Sequence, residues 1–216
     1  MRIPIRLKIC ECGGESLVWF LLEERDIQYR CQDCLKDQSL AIHNLSKAIR
    51  IILRAQYELF ENKDYSLSII LSAMAFECEM NRLFNKWTRL AAIRDRKLFL
   101  SQTELDDELR AMKSVFGKLK ITARLMSDHG VSGFVSNSPD LQRIMSEKFV
   151  GVSVEKVKAD LKKEFEKNLF FPRNSVIHAG KQYDEKTARH AREFALLGMT
   201  ILGKMDAERN AQKREG

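Results

Sequence analysis

The sequence predicts a mainly all-α protein, a helical bundle behind a small β-rich segment, and three observations predict it. From Asp37 onward apolar residues recur at three- and four-residue intervals, the period of helices with a buried face. Before that point they alternate with polar residues, as in half-buried strands, and four of the five cysteines fall there as two close pairs. Helix-starting residues then punctuate the rest of the chain, each able to offer a side-chain oxygen to a first-turn N–H. The expected organisation is a segment over residues 1–36 and a helical domain over residues 37–216.

Composition bounds the partners. At 216 residues, 44% hydrophobic and 31% charged, the chain has the make-up of a globular protein with a sizeable core. No apolar run approaches the roughly 20 residues that span a bilayer, and the start lacks a charged-then-apolar signal segment. The expectation is a cytoplasmic protein without a membrane partner. Lys+Arg of 37 against Asp+Glu of 30 gives a net charge of +7, which favours a polyanion such as RNA or DNA.

In the first segment Ile3, Ile5, Leu7 and Ile9 alternate with Pro4, Arg6 and Lys8, and Leu17–Leu22 and Ile27–Tyr29 read as further strands. Cys10-Glu11-Cys12 and Cys31-Gln32-Asp33-Cys34 each stand beside a turn. Two such knuckles can present four thiolates to one tetrahedral zinc, as in a zinc ribbon. In a reducing cytosol that is favoured over disulfides. The second pair has the usual C-x-x-C spacing, whereas the first is the tighter C-x-C. The other readings are a pair of hairpins whose cysteines stay reduced or a ribbon that has lost its metal. The zinc, at Cys10, Cys12, Cys31 and Cys34, would be structural, because so small a segment buries too little apolar surface to fold unaided. No catalytic metal is expected.

The helical period runs through Leu40, Ile42, Leu45, Ile49, Ile52 and Leu59 and breaks at Asn62-Lys63-Asp64. Asp64 or Ser66 caps the next helix, which extends to about Ile93 and is apolar on several sides, so it reads as the central one. It carries Glu77 and Glu79, and buried carboxylates need partners. Cys78 beside them reads as a small core residue. A capping box, Ser101-Gln102-Thr103-Glu104, opens a third helix that fades before His129. Residues 130–138 read as a glycine- and serine-rich loop, and Ser138-Pro139 starts a shorter helix through Leu141, Ile144 and Phe149. Ser153 caps a helix of mixed charge, and Asp184 caps the last long helix, which holds His190 and whose end beyond Glu208 reads as frayed.

Between those last two helices lies Phe171-Pro172-Arg173-Asn174-Ser175-Val176-Ile177-His178-Ala179-Gly180. Proline suits a first helical position and glycine a helix end, so a short helix is expected. Asn174 and His178 share a face, while Arg173 and His178 lie about 140° apart around the axis. An arginine in a first turn opposes the helix dipole, which makes sense where open N–H groups and a guanidinium together receive a phosphate. On spacing alone a satisfied, half-buried histidine and a surface arginine are the commoner reading.

The turn Arg173-Asn174 to His178 resembles the R-x4-6-H signature of the HEPN superfamily, including the polar residue after the arginine. Asp184-Glu185 opening an alanine-rich last helix (Ala188, Ala191, Ala195), and Leu71 to Glu77 as an early helix with an acidic residue, are similar to that family's surroundings. The resemblance covers roughly residues 38–207. It implies an all-α up-and-down bundle that pairs as a homodimer, and a metal-independent endoribonuclease that makes a 2′,3′-cyclic phosphate. Arg173 would stabilise charge on the scissile phosphate, His178 transfer a proton, Asn174 orient the imidazole or a phosphate oxygen, and Glu77, with Glu79 as the rival, fix the arginine. Some members paired with antitoxins carry tyrosine two residues after the histidine, where Gly180 stands here. The functional class implied is a toxin or antiphage effector with an antitoxin or sensor partner. The alternative is a non-catalytic RNA- or protein-binding module with a ribbon adaptor.

Overall fold

The computed structural model describes residues 2–7, 16–21, 26–30, 34–41, 45–94, 115–127, 130–149 and 152–215. Cys10, Cys12, Cys31, the capping box at Ser101 and His129 lie outside them. Among the described residues the protein is mostly helical. Four short strands come first. Arg2–Leu7 (β1) pairs antiparallel with Ser16–Leu21 (β2), Arg2 opposite Leu21 and Leu7 opposite Ser16. Asp26–Arg30 (β3) pairs likewise with Asp37–Ala41 (β4), Arg30 opposite Asp37. Residues 37–41 are therefore strand, where helical periodicity was expected to begin. The helical reading of Leu40 gives way to backbone pairing with β3, where Leu40 stands opposite Ile27.

The first helix, Lys47–Tyr57 (α1), starts behind Ser46, whose Oγ accepts from the Ile49 N–H at 3.2 Å. It widens into a π-turn at Glu58–Asn62 and stops where Lys63 takes a left-handed φ of 55°. Asp64, not Ser66, then caps Tyr65–Arg94 (α2), its Oδ1 accepting from the Leu67 N–H at 2.9 Å. As expected, α2 is central. Ile69, Ala73, Phe76, Met80, Leu83 and Trp87 are all buried along it, in a core shared with α1 and the last helix. Ser68 Oγ donates to the Ala55 carbonyl at 2.9 Å, tying α2 to α1.

Val115–Met126 (α3) continues the bundle and is followed by Gly130–Asn137 (α4), Pro139–Lys148 (α5) and Val154–Phe165 (α6). The expected loop at 130–138 is thus largely helix. Its glycines and serines conceal Val131, Phe134 and Val135 at helical spacing, the last two of which are buried. Gly130, at φ +64°, makes the reversal ahead of α4. Ser153 caps α6 as expected, accepting from the Lys156 N–H. The helix kinks at Asp160 (φ −154°, ψ 80°), whose carboxylate accepts from the Lys163 N–H at 2.9 Å and so restarts it.

A second π-turn, Glu166–Phe170, leads into Phe171–Ala179 (α7), which ends at Gly180 with a left-handed φ of 60°. Asp184 caps the last helix, Glu185–Glu215 (α8), by accepting from the Thr187 N–H at 2.8 Å, and hydrogen bonding from the Thr187 side chain, then from its N–H, holds the carboxyl below the usual range. The tail beyond Glu208 is helical rather than frayed. Lys86 of α2 reaches both Asp206 at 2.6 Å and Asn210 at 3.4 Å, and Trp87 Nε1–H donates to Asp206 at 2.7 Å, so α2 anchors this end.

Between α2, α6 and α8 lies an aromatic cluster. The Phe76 ring stands 5.2 Å from Phe165 and 6.0 Å from Phe170, and Phe165 meets Phe194 edge-on at 5.6 Å. α8 approaches this stack at Gly198. A Cβ there would meet Phe165 at 2.7 Å and Phe76 closer still, so only glycine fits.

Candidate functional site

The backbone of α7 differs from a free-standing helix. Phe170 and Phe171 both have right-handed φ/ψ, and the Phe171 N–H already donates to the Glu166 carbonyl, so helical structure is continuous from the π-turn into α7. Pro172 brings no N–H, and the wide i→i+5 turn ahead of it makes room for its ring. The open first turn expected to receive a phosphate is therefore absent. Any anion binding here falls to side chains, Arg173 first.

Arg173 is half-buried at the edge between α7 and α2. Its Nη2 stands 3.8 Å from Glu77 Oε1, an ion pair too long for a hydrogen bond, and its Nη1–H donates to Asn174 Oδ1 at 2.8 Å. The Nε–H is buried and has no hydrogen-bond acceptor among the described residues. Asn174 thus has its carbonyl oxygen on the arginine, not on the imidazole. Of the two carboxylates considered, Glu77 reaches Arg173. Glu79, 9% exposed, is turned away and held in a fork by Arg82 at 2.9 and 2.7 Å. That fork in turn raises the guanidinium pKa of Arg82. Cys78, between the two glutamates, is half-buried rather than a core residue.

His178 is exposed and makes no hydrogen bond or ion pair with a described residue. It shares with Phe171 and Asn174 a face of α7 that points away from the core, while Pro172 is buried on the other side. Within one chain the fold brings Arg173, Asn174 and Glu77 together and leaves His178 around the helix from the guanidinium. Both helices leave apolar side chains uncovered: on α7 Phe171 is 64% exposed and Ile177 46%, and on α2 Met74, one turn before Glu77, is 42%.

His190, which the sequence left open between surface and pocket, lines a shallow groove with Glu185, Lys186, Arg189 and Glu193. Sequence reasoning missed the cations beside it. Arg189 lies 4.5 Å and Arg192 5.9 Å from the centre of the Phe60 ring, and Arg192 also donates to Gln56 Oε1 at 2.7 Å. Burial pushes the Arg192 guanidinium pKa down. The signal was two arginines three apart on the last helix, but their ring lies far away in sequence.

Of the cysteines assigned to zinc, only Cys34 is described. It sits half-buried in the turn joining β3 to β4, beside Leu35 at a left-handed φ of 57°, and the Leu35 carbonyl accepts from Arg30 Nε–H at 2.8 Å. No helix among the described residues is long and apolar enough to cross a membrane. No family model matches the chain, and neither a curated protein nor a solved structure matches it.

Proposed function

We propose that this protein is a metal-independent endoribonuclease of the HEPN type, working as a homodimer. The observation that carries the reading is Arg173, held between Glu77 and Asn174 one turn before an exposed, uncommitted His178. RNA supplies its own nucleophile, so the protein has only to move protons and stabilise charge. The 2′-OH gives its proton to His178 as its oxygen bonds to phosphorus. The P–O5′ bond then breaks as the protonated His178 of the second copy gives its proton to the leaving 5′-oxygen, and a 2′,3′-cyclic phosphate remains. Arg173 offers its fork to the non-bridging oxygens where negative charge accumulates. A two-fold partner docked on Phe171, Ile177 and Met74 closes the otherwise open site and brings a second His178 and Arg173 to it.

In this reading zinc is structural. The tight turn at Cys34 suits a thiolate ligand, and Cys10, Cys12 and Cys31 would complete the set, with metal content after Cys31→Ser/Cys34→Ser as the readout. A toxin or antiphage effector held in check by an antitoxin or sensor protein is the role that fits such a nuclease.

The test is cleavage of an RNA oligonucleotide in the presence of a chelator, against the same strand with a single 2′-deoxyribose at the cleaved position. The expected result is a cyclic-phosphate product from the first and no cleavage of the second. Cleavage of the deoxy strand, or wild-type rates from His178→Ala, would falsify the assignment and leave a binding module.

A further inference from the structure

The helices α3, α4 and α6 enclose a cleft of about 520 Å³, within the roughly 300–1,000 Å³ of small-molecule sites. Its floor is Leu119, Ala123 and Leu161, all buried, with the half-buried Phe116 and Val131 as walls. Beneath it a void of about 10 Å³ shares Leu119, Val131 and Leu161 and runs toward Gly198, so the apolar lining continues inward.

The mouth is different. Lys120 and Arg124 of α3 and Lys162 of α6 stand there exposed, and the described lining residues include no carboxylate. Lys120 and Arg124 are four apart on one helix face, where like charges repel, and neither makes an ion pair with a described residue. Lys162 lies over the Phe116 ring at 5.9 Å and pairs only loosely with Glu166, at 3.5 Å. Three cations over an apolar floor complement a ligand with a negative head and an apolar body. A nucleobase suits the floor poorly, because the floor side chains Leu119, Ala123 and Leu161 offer its polar edge no hydrogen-bond partner.

We infer that this cleft binds a small amphipathic anion, an acyl-type chain carrying a carboxylate or a phosphate monoester, with the head at Lys120, Arg124 and Lys162. Nothing in this inference rests on RNA cleavage, and its test does not use it. The test is calorimetric titration of the full chain with decanoate and, separately, decyl phosphate, both below their micellar concentrations. Decanol, inorganic phosphate and adenosine monophosphate serve as comparisons.

Saturable one-site binding of either acyl anion is expected, the stronger of the two naming the head group. Decanol and inorganic phosphate should bind at least about tenfold more weakly, since each has only half of the recognised chemistry. Lys120→Glu/Arg124→Glu should lose at least about tenfold, and Ser132→Trp, an exposed position at the mouth, should block binding while thermal unfolding stays that of the wild type. Absence of saturable acyl-anion binding overturns the inference, as does tighter binding of adenosine monophosphate. So does unchanged binding in both folded variants, or binding of an acidic amphipathic peptide in place of the acyl anions.

Discussion

Arg173 on α7 and Glu77 on α2 meet with Nη2 and Oε1 3.8 Å apart, and this pair, together with the 2.8 Å bond from Nη1–H to Asn174 Oδ1, orients the guanidinium. Glu79, two residues on, is occupied with Arg82. Glu77→Gln should therefore lower RNA cleavage by about 10–10²-fold through misplacement of the arginine. Glu79→Gln should cost about 1 kcal/mol of stability and leave the rate per folded molecule unchanged. Turnover and urea unfolding of both variants check this; equal loss of rate in both would remove the positioning role from Glu77.

His178 and Arg173 divide proton transfer and charge stabilisation. His178→Ala should lose on the order of 10²–10⁴ in rate, and Arg173→Ala about 10²–10³. His178 is exposed and makes no hydrogen bond with a described residue, so its removal should change stability by less than about 0.5 kcal/mol. Arg173→Lys should stay nearly as poor as alanine, because one ammonium cannot reproduce the fork that spans Asn174 and Glu77. Single-turnover rates beside melting temperatures decide it, and a lysine variant with near wild-type rate would refute the bidentate role.

Much of the helical part was legible because caps are local chemistry. Asp64, Ser153 and Asp184 each accept from an N–H three residues on, as their sequence contexts suggested. What stayed hidden depends on packing or backbone register. Glycine and serine around Val131, Phe134 and Val135 outweighed three apolar positions, so α4 read as a loop. The π-turn before Pro172 leaves no periodic signature, and proline ordinarily marks a helix start, so α7 read as free-standing. Glu77 and Glu79 lie about 200° apart around one helix, and only the way α2 turns toward α7 separates them. The contrast between an exposed His178 and a half-buried Arg173 has the same origin.

Gly198 allows α8 to approach the Phe76 and Phe165 rings. Gly198→Ala gains helix propensity, but its methyl would displace two rings from a close-packed cluster, and that second effect should win by about 1–3 kcal/mol. Denaturant midpoints measure it. A neutral or stabilising substitution would mean that the rings yield without cost.

Asp140 links α5 to α8, bonding Lys204 at 2.6 Å and Arg143 at 2.7 Å. The Lys204 ammonium, with Arg143, lowers its carboxyl from an ordinary 3.8 to about 2. A depressed folded-state value stabilises the fold fully above the unfolded value and less as acid protonates the folded state. The stability difference between wild type and Asp140→Asn should therefore be constant from neutral pH down to about pH 4 and shrink toward pH 2. Both groups are at the surface, so 1 M salt should reduce the difference at every pH. Circular dichroism across an acid titration reads it, and a gap that widens on acidification would contradict the sign.

The uncovered face of α7 makes the last prediction. Phe171 and Ile177 face solvent on either side of His178 on its own helix, and Met74 faces solvent on α2 one turn before Glu77. Large apolar side chains gathered at one place on a surface are costly to leave in water and mark contact with a partner. If that partner is a second copy, Phe171→Glu and Ile177→Glu should each give a well-folded monomer, because neither side chain supports the core of its own chain. Each should also lose at least about 10²-fold in RNA cleavage, since pairing brings the second His178 and Arg173 to the phosphate. Light scattering coupled to size exclusion, run beside the cleavage assay, separates the possibilities. A wild-type protein that is monomeric at micromolar concentration and fully active would remove the dimer from the mechanism, and active monomeric variants would do the same.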